Sequence, residues 1–134
     1  MSCLARNVAC VLAVLTIFTA CNQDPFHLSY RAVAGRYVLH RWEDGKTYYL
    51  EETGQESANG GGVLDGIVTE IGWNGSYIVA RRHAIFGGDP DGWMIVNVQQ
   101  RSVRGPYSDH QVTEMPEIRG IHALSAEQAW KELR

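Results

Sequence analysis

Beyond residue 21 the chain has no cysteine. Cys3, Cys10 and Cys21 are the full complement, so no disulfide can staple the later part and cysteine-rich zinc sets are excluded. Basic clusters are missing too. The 12 Lys and Arg against 15 Asp and Glu give a formal charge of −3 without any Lys/Arg-rich stretch. That removes the electrostatic footprint expected of a nucleic-acid partner. The one long apolar run, residues 8–20, is shorter than the roughly 20 residues a spanning helix needs. Gly60-Gly61-Gly62 leads into a strand pattern and has no Lys after it, unlike a phosphate loop. There is no Gly-x-Ser-x-Gly elbow, and Ser108-Asp109-His110 reads as a helix start. His27, His40, His83, His110 and His122 are scattered, and Asp89 and Asp91 lack the later ligands of a calcium loop. No metal or cofactor is expected.

What is present begins with an address. Arg6 precedes the apolar run, and the run closes on Phe18-Thr19-Ala20-Cys21. Length and flanks suit a signal-peptide core. The closing tetrapeptide resembles the lipobox of bacterial lipoproteins, with Phe18 where that motif prefers Leu. The resemblance implies acylation at Cys21, which becomes the mature N-terminus. An anchor of several acyl chains holds a protein to a membrane far better than one. Asn22, where inner-membrane retention often uses Asp, leans by the same resemblance toward an outer membrane. The expected organisation is a signal over 1–20, a lipidated tether over 21–30, and one domain over 31–134.

Two hairpin signals organise that domain. Asn74-Gly75 lies between β-prone runs and predicts a two-residue type I′ turn. Such a turn pairs Trp73 with Ser76, Ile71 with Ile78 and Thr69 with Ala80 on an apolar face. Glu70 opposite Val79, and Val68 opposite Arg81, fall on a wetter face, with Glu70 diagonal to Arg81. Asp44-Gly45 gives the second signal. It pairs Leu39 with Leu50, Arg41 with Tyr48 and Tyr37 with Glu52, with aromatics on both faces.

Trp93 to Arg101 reads as a further strand, with Gly105-Pro106 ending the sheet. Ser108 with Gln111, and Ser125 with Gln128, are capping-box pairs. Val112, Met115 and Ile118 have helical spacing that Pro116 interrupts. Ala126, Ala129, Trp130 and Leu133 form a stripe able to dock on the sheet. The expected fold is α+β: an antiparallel β-meander of about five strands carrying one or two C-terminal helices. A strongly curled, barrel-like sheet is the alternative.

The strings Val-Thr-Glu-Ile-Gly-Trp-Asn and Tyr-Ile-Val-Ala-Arg, with Gly35-Arg36-Tyr37 before them and Gly105-Pro106 after, resemble a group of small bacterial lipoproteins of unknown function. This chain departs from the group at Trp93-Met94-Ile95, where Tyr-Tyr-Ile is common, and at Pro116. The resemblance implies envelope location and fold and brings no catalytic residue. The expectation is a non-enzymatic module presented at the envelope, partnered by the membrane and by a protein or envelope component. An envelope hydrolase, or an inhibitor or immunity-type lipoprotein, is the alternative. Glu70, Tyr77, Arg81 and His83 share the wetter hairpin face and form the candidate binding surface.

Overall fold

The computed structural model describes residues 29–55 and 60–134. Cys21 and the expected signal and most of the tether lie outside them. Eight strands and two short helices follow in order: β1 Tyr30–Ala34, β2 Tyr37–Arg41, β3 Tyr48–Glu52, β4 Gly66–Trp73, β5 Tyr77–Ala84, β6 Gly92–Asn97, β7 Ser102–Tyr107, α1 Asp109–Thr113, β8 Leu124–Ser125 and α2 Ala126–Glu132. The protein is α+β and its strands pair antiparallel. They form two sheets, β1-β2-β3 and β7-β6-β5-β4-β8, with no closed barrel among the described residues. No described helix is long and apolar enough to cross a membrane.

The first hairpin has the expected register, with Tyr37 opposite Glu52, Leu39 opposite Leu50 and Arg41 opposite Tyr48. The structure settles which face is the core. Tyr37, Leu39, Tyr48 and Leu50 are buried, while His40, Trp42 and Tyr49 lie on the outer face.

The central hairpin differs. Asn74 Oδ1 accepts from the N–H groups of Ser76 and Tyr77, both at 2.8 Å, and Asn74 N–H donates to Tyr77 O. The turn is therefore centred on Gly75-Ser76. Gly75 does not have a left-handed φ, so the turn is not type I′. Moving the centre by one residue shifts each partner by two: Trp73 faces Ile78, Ile71 faces Ala80 and Glu70 faces Arg81. A shift of two keeps each side chain on its face. A bulge between Val68 and Glu70 then puts Val68 opposite Arg82 and moves it to the core, where it is 1% exposed.

The larger core lies between the sheets and under α2. Leu39 and Leu50 meet Ile71, Ile78, Ala80 and Val96, and Ala126, Ala129 and Trp130 close it. Each Leu, Ile or Val among them contributes ~1.5–3 kcal/mol when fully buried. The stripe on α2 thus docks as its spacing predicts. Both expected capping boxes form, Ser108 with Gln111 and Ser125 with Gln128. Pro116 ends the first helical stretch and begins a 3-10 turn, Pro116–Ile118. Gly105-Pro106 does not end the sheet; it lies within the edge strand β7.

A smaller core covers the opposite face of the five-stranded sheet. Ile118 packs on Val79 and Ile95, with Val112, Met115 and Ile121 around them. The sheets are also tied by charge. Glu52 of β3, nearly buried, lies 2.6 Å from Arg101 Nε in the β6–β7 turn and 3.7 Å from Arg36 Nε. Its Oε1 has no well-aligned hydrogen bond, so the Arg101 contact is an ion pair off the hydrogen-bond axis.

Candidate functional site

The hairpin face that carries the four expected residues is divided in two. Tyr77 belongs to the half covered by residues 109–121 and packs in the smaller core with Tyr107 and Met115. It is not an open platform, because a helical segment lies on both sheet faces rather than on one. Arg81 is four residues further along β5, about 13 Å away at the rise of an extended strand. Glu70, Arg81 and His83 occupy the other half, beyond the covering segment.

There an open cleft of about 590 Å³ forms between the end of β5, the loop before β6 and the start of α1. Arg81, His83, Asp91, Trp93, Tyr107 and Asp109 line it. Arg81 donates to Glu70 Oε2 at 3.2 Å, with both side chains substantially exposed. Its guanidinium carbon also lies 5.9 Å from the Trp93 ring centre. The expected ion pair is therefore present, directly across the strands rather than diagonally. An exposed pair of this kind contributes ~0–1 kcal/mol, so its arginine can exchange partners cheaply.

His83 Nδ1 and Asp91 Oδ2 are 2.9 Å apart, and Asp91 Oδ1 accepts from Ala84 N–H at 2.8 Å. The Ala84 hydrogen bond, and then the His83 contact, hold the Asp91 carboxyl below its ordinary range. Trp93 Nε1 donates to Asp109 Oδ1 at 2.6 Å, which ties the indole to the first turn of α1. Arg82, buried below the cleft, donates to Leu64 O and Pro90 O and fixes the loop that carries Asp91.

The structure thus brings together Arg81, His83 and their neighbour Glu70, and separates Tyr77 from them. Asp91, Trp93 and Asp109 are the members that the sequence reading missed. Asp91 falls in Asp89-Pro90-Asp91-Gly92, a loop string whose acidic residues have several local uses. Asp109 follows a helix cap, and its reach to Trp93 spans 16 residues. Among the described residues no three His, Cys, Asp or Glu side chains converge as a metal set. Chemically, the cleft offers one exchangeable cation beside an indole, rimmed by carboxylates already engaged. No family model, curated protein or solved structure matches this chain.

Proposed function

We propose that the protein is a lipid-anchored module of the bacterial envelope, attached through Cys21, whose cleft around Arg81 captures a protein or envelope component. The observation that carries the binding reading is the exposed Arg81 guanidinium, paired to the half-exposed Glu70 and set beside Trp93 at the cleft. A ligand carboxylate or phosphate can replace Glu70 on that guanidinium while a flat group lies against the indole. The His83–Asp91 pair adds an imidazole and a carboxylate to the rim of the cleft. The anchor reading is supported by the apolar run that ends at Ala20-Cys21, and by the lack of any later cysteine to pair with it. The resemblance to small lipoproteins of unknown function agrees with the anchor.

Palmitate labelling tests the anchor: Cys21→Ser abolishes incorporation, and label persisting in that variant refutes it. Crosslinking in intact cells tests the cleft. Arg81→Ala weakens capture about tenfold or more, the effect of losing one charge-assisted contact. Glu70→Ala leaves capture unchanged or tightens it, because Glu70 competes with the ligand anion for the arginine. Capture unchanged by Arg81→Ala in a folded protein sinks the cleft assignment.

A further inference from the structure

A second cationic cluster lies away from the cleft, where β1 begins and β2 ends. Arg31 and Arg41 stand on the core face of the three-stranded sheet, at its open end. Both lean on one ring: their guanidinium carbons are 5.1 and 4.7 Å from the centre of Trp130 in α2. A guanidinium stacked on an indole uses its flat face and keeps its in-plane N–H donors for another partner. Neither arginine has an ion pair among the described residues, and Arg31 Nε–H is buried with no acceptor. They line a pocket of about 400 Å³ together with Lys131 and Glu127. Glu127 is committed to Lys131, at 2.7 Å, rather than to either arginine. Two guanidinium groups with no ion pair among the described residues, beside the Glu127-paired ammonium of Lys131, call for an anion with several acceptor oxygens.

We propose that this pocket binds a phosphate group, and that its source is the headgroup of an anionic membrane lipid. The choice of source rests on the anchor at Cys21. Arg31 is the first Lys or Arg after Cys21, ten residues on. Ten residues reach at most ~35 Å, so the pocket cannot lie far from the membrane that holds the acyl chains. The same end of the sheet exposes Tyr30 (46%) and Trp42 (51%) on its outer face. Aromatic rings with a polar edge favour the membrane interface, and cations favour an anionic leaflet. Chain entry, exposed aromatics and the pocket's arginines thus meet at one end of the domain.

Calorimetric titration of the full chain in neutral detergent tests this, with dihexanoyl phosphatidylglycerol, dihexanoyl phosphatidylcholine and inorganic phosphate as separate probes. Phosphatidylglycerol binds about tenfold more tightly than phosphatidylcholine, and Arg31→Gln/Arg41→Gln removes the difference. Arg119→Gln, at an exposed arginine outside both this pocket and the cleft, leaves it unchanged. Because both pocket arginines also pack on Trp130, an exposed position provides a variant that keeps the fold. Glu127→Gln removes the pocket's one carboxylate, frees Lys131, and tightens phosphatidylglycerol binding several-fold. Tight inorganic phosphate with no preference between the two lipids overturns the lipid source. No measurable binding of either anion by the wild type overturns the pocket itself. Because these probes do not depend on acylation, palmitate labelling decides the anchor separately.

Discussion

Gly62 offers the sharpest test of how the two sheets are joined. It adopts φ +65° in the short 3-10 turn Gly62–Leu64 that leads into β4. A Cβ there would be driven into the carbonyl oxygen of Leu50, in the buried centre of β3. Backbone, not a flexible side chain, is what it meets. Gly62→Ala therefore carries two costs. Left-handed geometry costs an L-residue ~1–2 kcal/mol, and overpacking against backbone that cannot retreat adds ~1–3 kcal/mol. Reduced freedom of the unfolded chain returns ~0.4–1 kcal/mol. The net is a loss of ~2–4 kcal/mol, which lowers the melting temperature of a domain this size by on the order of 10–20 °C.

Gly75 is the control. It lacks a left-handed φ, and nothing lies within 4 Å of its added Cβ. Gly75→Ala should leave stability unchanged or raise it by up to ~1 kcal/mol. Urea denaturation followed by tryptophan fluorescence measures both. A Gly62→Ala midpoint equal to wild type refutes the close approach of β3 to the turn. A large loss at Gly75 restores the type I′ turn that the structure replaces.

Arg101→Ala should lower the urea midpoint, since it leaves the buried Glu52 with only the more distant Arg36. Adding Glu52→Gln to it should cost little more, and fully additive losses in this double-mutant cycle would show that the two residues do not interact. Asp91 gives a pH signature. Its carboxyl is held below the ordinary 3.8, first by the Ala84 N–H and then by His83. A depressed carboxylate adds stability above its unfolded value and loses it as pH falls through its folded value. The stability gap between wild type and Asp91→Asn should therefore narrow as pH drops below 3.8; a gap constant from neutral to acid pH contradicts the assignment.

The first hairpin was legible because its pairs agree with one turn: Asp44 Oδ1 accepts from Lys46 and Thr47 N–H, and Gly45 takes φ +70°. Its core face was not, since Tyr37 and His40 look equally able to bury; position opposite the second sheet decides. Asn74 was ambiguous for a different reason. Asparagine serves a type I′ turn and an Asx turn equally well. Distant contacts select the second: Gln99 Nε2 donates to Gly75 O and Val98 N–H to Ser76 O, and both partners follow β6. In the site, Arg81 and Glu70 were found because cross-strand neighbours are local to one hairpin. Trp93–Asp109 and the covering of Tyr77 depend on where residues 109–121 return across the sheet, which no local pattern specifies.

The bulge at Thr69 divides β4 into two stretches that mutation would treat by different rules. From Glu70 to Trp73 the odd-numbered residues serve the core; from Gly66 to Val68 the even-numbered ones do. A single out-of-phase residue thus acts as a reading-frame change in the pleat. On the far side of it His83, opposite Ile67, lines the cleft rather than the packed interior. The cleft end of the hairpin can accordingly diversify its side chains while the turn end, locked by Asn74, keeps the same alternation.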